Sequence, residues 1–365
     1  MSNVTLEIEG QNYQGWTEIS ISKSIEHLCG GFDLTLTDRW SGGNLDLAIL
    51  PGSPCRVAID GQTVINGYVF GFEISYDADA HQIRVTGKDK TADLVDCAIA
   101  NGTGEWKNLK LEDLVSELVK PFWLTVKADV DTGERIPKFN AEQGMTVYDA
   151  VQKLCVLRGC LAIPDDEGNI VITRAGTEQG TTNLAEGDNI LAATASYDFS
   201  ERFSDYIVKG QKSGKDNEDS KTTTAFKSNV QDENIKRYRP TIVMAEGQVD
   251  GIKTKVRAQW ECAVRRGKSR NFRITVQGWK GADGKIWELN KLVKLTSPLL
   301  GIDDQLLIAG ADFKLSDQGE MTELLLSPAE AYQPVEGLKV SSGDKWEKDL
   351  KSFGKLWKRY GKGKK

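Results

Sequence analysis

A chain of 365 residues is long enough for two or three domains that each bury a core, which excludes a peptide-sized or disulfide-stapled scaffold. Hydrophobic residues make up 39% and charged residues 27%. No uncharged apolar run approaches the roughly 18–20 residues that span a bilayer, so an integral helical membrane protein is excluded as well. The net charge of −6 divides unevenly: residues 336–365 hold ten Lys/Arg against four Asp/Glu, so the rest of the chain carries −12. An acidic body argues against a dedicated nucleic-acid binder, because counterion release needs clustered cations facing phosphate.

Residues 1–98 read as all-β. Alternation recurs in Val4-Leu6-Ile8, Phe32-Leu34-Leu36, Cys55-Val57-Ile59, Tyr68-Phe70-Phe72-Ile74 and Ile83-Val85, with Asp60-Gly61 and Asn66-Gly67 as turn signals between short strands. That spacing favours a barrel or a sandwich, with longer loops at 27–31 and at Gly42-Gly43 before Pro51. The period then changes. Leu111, Leu114, Val115, Leu118 and Val119 predict a helix of about three turns that stops at Pro121. Thr146 and Asp149 resemble a capping box ahead of an apolar face of Val147, Ala150, Val151, Leu154 and Cys155, and Gly159 is placed to end that helix. Leu161–Pro164, the turn 165–169 and Ile170–Thr173 predict a hairpin, so residues 99–179 form a small α+β module.

β signal returns over 180–332. It is interrupted by 212–236, a polar stretch that reads as a mobile loop, and by a helix over 249–266 whose last turn carries Arg265 and Arg266. Strands are expected at Phe272–Val276, Leu306–Ile308, Phe313–Leu315 and Leu324–Leu326, and the core is expected to end near Ala331. In the basic tail, 333–365, Trp346, Leu350, Phe353 and Trp357 lie at helical spacing. Partner docking and a flexible extension both fit that pattern better than a membrane-surface helix.

No catalytic, cofactor-binding or metal-ligating constellation is found. The N-terminal MSNVTLEIEG has no signal-peptide pattern, so Cys29, Cys55, Cys97, Cys155, Cys160 and Cys262 are expected to be reduced and buried as small hydrophobes. No C-x-x-C occurs, and His27 and His81 are the only histidines. Arg266-Gly267-Lys268-Ser269 falls short of a phosphate loop, since Cys262 occupies the position of the first glycine and the sequence ends a helix instead of starting one. Asp165-Asp166-Glu167 and Asp303-Asp304 supply paired carboxylates, but both pairs fall in predicted turns, where carboxylates cap local N–H groups. Trp106, Trp123, Trp260, Trp279 and Trp287 read as core residues.

The spacing W-x-x-x-D-G-x-x-W at Trp279-Asp283-Gly284-Trp287, preceded by Ala258–Glu261 and Ala263–Gly267, resembles the C-terminal half of baseplate hub proteins from Mu-like contractile-tailed phages. Ile19–Ser24, Phe32–Thr37, Pro51-Gly52-Ser53 and Met145–Gly168 match the same family, so the resemblance covers almost the whole chain. It implies two tail-tube-like β-barrel domains flanking a small α+β module, related to the N-terminal part of type VI secretion spike proteins. It also implies a structural, non-enzymatic role without cofactors. In that role a homotrimer in the virion tail baseplate, assembled in the host cytoplasm, adapts the sixfold tail tube to a threefold central spike. Tail tube, spike and baseplate wedge proteins are the implied partners; DNA would pass through transiently, and no stable membrane insertion is expected. A peptidoglycan hydrolase would need a further domain with a Glu or His centre, and a carbohydrate-binding module would need an exposed aromatic cluster.

Overall fold

The computed structural model describes residues 2–38, 49–77, 81–100, 102, 104–176, 178–212, 224–248 and 251–332. The first region holds β1 (Val4–Ile8), β2 (Gln11–Tyr13), β3 (Glu18–Ser24), β4 (Gly31–Asp38), β5 (Pro54–Ile59), β6 (Gln62–Tyr76), β7 (His81–Asp89) and the short helix α1 (Ala92–Asp96). The module follows with β8 (Glu105–Leu109), α2 (Leu111–Val119), β9 (Val126–Ala128), β10 (Ile136–Asn140), α3 (Val147–Arg158), β11 (Leu161–Pro164) and β12 (Ile170–Thr173). The second region begins with β13 (Glu178–Gln179), β14 (Leu184–Ala185), β15 (Ile190–Tyr197), β16 (Asp205–Lys212), β17 (Thr224–Gln231) and β18 (Pro240–Gln248). It continues through α4 (Gly251–Lys268), β19 (Arg270–Gln277), β20 (Lys291–Ser297), β21 (Ile302–Ser316) and β22 (Gly319–Ser327) to a 3-10 turn at Ala329–Ala331. The chain is thus mainly β with a few helices, as expected.

One sheet runs through both β regions, in the order β15-β19-β22-β21-β3-β4-β7-β6-β5-β1-β2, with β20 on β21. The seam is the antiparallel pair β21·β3, in which Phe313 faces Ile21. A single hydrophobic core lies under it, with Leu6, Ile21, Leu34 and Val85 from the first region and Phe272, Ile274, Phe313 and Leu324 from the second. Among the described residues, these pairings do not close either region into a barrel.

The two regions repeat one topology. β3-β4-β7-β6-β5 and β15-β19-β22-β21-β20 have the same order and the same sense of pairing. Each has a 15-residue strand, β6 or β21, with a bulge at the same point, between Val69 and Gly71 and between Ile308 and Gly310. Matching the bulges places Gly71 on Gly310, Glu73 on Asp312 and Ile74 on Phe313. It likewise places Phe32-Asp33-Leu34-Thr35 on Phe272-Arg273-Ile274-Thr275, because each stretch pairs with the equivalent strand in the same register.

The module has its own core. All five apolar residues of the α2 stripe are buried against α3, Ile170 and Ile172. At about 1.5–3 kcal/mol per buried aliphatic side chain, that face holds the helix in place. The α3 ends are as read: the Thr146 Oγ accepts from the Asp149 N–H at 3.1 Å, and Gly159 closes the helix at φ 59°.

Two local expectations are corrected. Asp60-Gly61 does form a hairpin turn, with φ of 49° and 83°, but Asn66-Gly67 lies inside β6. A Cβ at Gly67 would sit 1.9 Å from the Lys88 carbonyl, so this glycine serves close strand approach. The predicted loop 212–236 contains β17, paired along its whole length with β16; residues 213–223 lie outside the described residues. The strand was hidden because polar residues line it: Ser228 bonds Thr254 of α4 at 2.8 Å instead of entering an apolar core. Asp232, in the same stretch, is buried in an ion pair with Arg202 at 2.7 Å. The loop expected at Gly42-Gly43 and the apolar spacing of the tail also fall outside the described residues.

Candidate functional site

The carboxylate clusters are structural. Asp165 Oδ1 accepts from the N–H groups of Glu167 (3.0 Å) and Asn169 (2.7 Å), which makes it a turn cap as expected. Asp166 pairs with Lys23 at 2.6 Å and Glu167 accepts from Asn66 Nδ2 at 3.0 Å, so the module's hairpin turn is fastened to the first β region. Asp303 and Asp304 are in β21, contrary to the turn expected. Asp303 pairs with Lys294 at 3.1 Å and accepts from Thr296 Oγ at 3.0 Å.

Arg266-Gly267-Lys268-Ser269 ends α4, and a Cβ on Gly267 would meet the Ala331 backbone N at 2.5 Å, so the glycine serves packing. Cys55, Cys155, Cys160 and Cys262 are buried, with burial pushing each thiol up. Cys29 is half-buried, and Cys97, the extended residue that caps the end of α1, is exposed. Trp279 is buried, and Trp106, Trp260 and Trp287 are partly so. Trp123 is 91% exposed, since it follows the turn Lys120–Phe122 at φ 56°, which points it out of the module. Among the described residues, no group of three or more His, Cys, Asp or Glu is arranged to hold a metal.

Two other features distinguish the molecule. The first is a pair of strand edges. β6 is paired with β5 over 62–68 and with β7 over 67–76, and β15 is paired with β19 alone. Among the described residues, no strand covers the second edge of 71–76 or of 190–197. At the equivalent places inside the chain, β21 and β3 cover each other. The consequence is visible in burial: Phe313 is 0% exposed, whereas its counterpart Ile74 is 60% exposed and the next core-side residue, Tyr76, 79%. Sequence alternation marked Ile74 as core; the edge position was not legible there.

The second feature is the polar face of the shared sheet, opposite the core. Between Ser20, Ser22, Thr86, Ser75 and Thr194 it carries the cations Arg84, Arg273 and Lys314, each bound to a carboxylate. Asp33 grips Arg84 in a two-pronged contact at 2.9 and 2.5 Å, with Glu73 4.0 Å away, and the Asp33 contact pushes the guanidinium pKa above its ordinary value. Glu323 lies 3.7 Å from Arg273 and 3.2 Å from Lys314. In the repeat, Asp33 corresponds to Arg273 and Arg84 to Glu323, so the same cross-strand pair recurs with its charges exchanged. Asp312 adds another carboxyl, pushed up by its burial.

The chain thus holds a β-repeat fused into one sheet, with an α+β module inserted between its halves. Residues 3–89 match the family described as Mu phage baseplate assembly protein GpP-like, N-terminal. Residues 91–174 match the second domain of gp44-like baseplate hub proteins, and 251–335 the fourth domain of Mu GpP. The baseplate hub protein gp44 of Escherichia phage Mu is 34% identical over 92% of this chain and 91% of its own length. The chain belongs to the Mu-type baseplate hub family. Among solved structures, the 43 kDa tail protein of the prophage MuSo2 from Shewanella oneidensis superposes with a TM-score of 0.80 at 35% identity, covering 91% of the hub chain and 99% of its own. An E. coli protein described as a component of the type VI secretion system shares the fold at TM-score 0.58 and 10% identity, covering 90% and 79% of the two chains. The hub is therefore a tail baseplate protein by kinship. Among its described residues, no helix is long and apolar enough to cross a membrane.

Proposed function

We propose that the hub is a structural, non-enzymatic ring of three copies in the virion baseplate, assembled in the host cytoplasm. The ring adapts a sixfold tail tube to a threefold central spike and meets wedge proteins at its rim. The observation that carries this reading is the internal repeat: each chain presents two backbone-equivalent halves of one sheet, so three copies present six like units to a tube while keeping threefold symmetry toward a spike. In this division of labour, 1–98 and 180–332 supply the ring units, 99–179 is a spacer, and 333–365 faces a partner.

The polar sheet face lines the channel through which DNA passes during ejection. Its cations are already bound to carboxylates, so phosphate finds no counterion to displace, and the carboxylates in excess repel it. Native mass spectrometry of the intact chain tests the reading. A species of three times 40.3 kDa supports it. A strict monomer at high concentration, or clearing of a cell-wall zymogram by the purified chain, overturns it.

A further inference from the structure

We infer that copies of the hub join by strand addition, with β6 of one chain pairing antiparallel to β15 of the next. This deepens the ring reading and rests on it, because it names the surface by which the ring closes.

The seam β21·β3 acts as the template. It pairs Ala311 with Lys23, Asp312 with Ser22, Phe313 with Ile21, Lys314 with Ser20 and Leu315 with Ile19. The repeat converts each residue. Registers on β7 and β22 place β21 onto β6, and registers on β4 and β19 place β3 onto β15, with Ile21 on Ala195 and Ser20 on Thr194. The intermolecular register is then Phe72 with Tyr197, Glu73 with Ser196, Ile74 with Ala195, Ser75 with Thr194 and Tyr76 with Ala193.

Faces agree as well as spacing. Ile74 and Ala195 are both on the core side, where a one-residue slip would turn them to the polar face. Among the described residues, no strand pairs with the outer edge of 71–76 or of 190–196, so a second copy supplies the missing ladder, and the exposed Ile74 and Tyr76 become covered as Phe313 is inside the chain. The contact is heterologous, one edge against a different one, so it propagates head to tail and ends only by closing into a ring. If the step between chains repeats the step within a chain, every unit sees the same neighbours.

The test uses the full chain with Cys97→Ser, which removes the exposed native thiol. Ile74→Cys combined with Ala195→Cys is oxidised with copper–phenanthroline and run on a denaturing, non-reducing gel beside the off-register pair Ile74→Cys with Ala193→Cys. Expected is a covalent ladder ending at the ring, formed at least about tenfold faster than in the off-register pair. Ile74→Lys, at a position exposed in the single chain, should keep the thermal midpoint while losing assembly. A three-chain mass with no 74–195 cross-link, or with undiminished assembly in Ile74→Lys, overturns the pairing and leaves the ring standing. A strict monomer that forms no cross-link overturns both.

Discussion

If the polar sheet face lines a DNA channel, unmasking Arg84 should turn a passive wall into a DNA-binding one. Asp33 holds this guanidinium through two hydrogen bonds and Glu73 lies 4.0 Å away on the next strand. The double variant Asp33→Asn, Glu73→Gln leaves the side chains in place and removes both charges. The pair is solvent-exposed, so folding should scarcely change. Binding should change. A ring of three copies gains three free cations, and each phosphate neutralised contributes about −0.9 to the slope of log K against log salt. A slope of about −2.7 follows, so lowering salt fourfold strengthens duplex binding by about 40-fold. Fluorescence anisotropy of a labelled duplex between about 50 and 200 mM salt, with residues 336–365 removed from both proteins so that the basic tail does not dominate, reads this directly. The parent ring should show almost no binding and little slope. Tight, salt-sensitive binding by the parent refutes the channel assignment, as does an assembled double variant that gains nothing.

Asp232→Ala strands the buried Arg202 guanidinium, with Arg266 left nearby, and should cost roughly 3–5 kcal/mol in urea unfolding; a loss below about 1 kcal/mol would show that water reaches the site. The hydrogen bond from Lys280 holds Asp60 below its ordinary 3.8, so this latch stabilises the fold above about pH 3.8 and is lost as pH falls through the depressed value. Lys280→Met should accordingly flatten the acid limb of the stability curve in pH-resolved thermal melts, and an unchanged limb would locate acid sensitivity elsewhere. Replacing Asp303 and Asp304 by Asn should leave particle assembly and infectivity nearly intact in plaque counts, since the Asp303 contacts with Lys294 and Thr296 are solvent-exposed; a tenfold drop would reopen a chemical role.

The α2 and α3 helices were legible because a 3.6-residue stripe, a Thr cap and a stopping Gly are local signals, and the strands around Phe32 and Phe272 because alternation is local too. What escaped depends on neighbours distant in sequence. β17 uses Ser228 against Thr254, Gly67 marks the approach of Lys88, and Asp303-Asp304 continue a strand whose partner lies across a turn. The candidate surfaces were least legible. Ile74 reads as core by pattern, and only the strand order shows that, among the described residues, no strand covers it.

The repeat itself stood in the sequence as F-D-L-T at 32–35 and F-R-I-T at 272–275, too short to register without the shared bulges. Its backbone is kept and its outward charges are exchanged, Asp33 for Arg273 and Arg84 for Glu323. Apolar positions must match, since both halves build one core, whereas an ion pair works equally well in either polarity. On the ring reading that freedom has a use. A surface facing six identical subunits needs six equal backbones, but a surface facing three needs a means of telling alternate units apart. Two like half-sheets carrying unlike side chains provide both, and exchange within a bonded pair changes the pattern without leaving a cation free to hold phosphate.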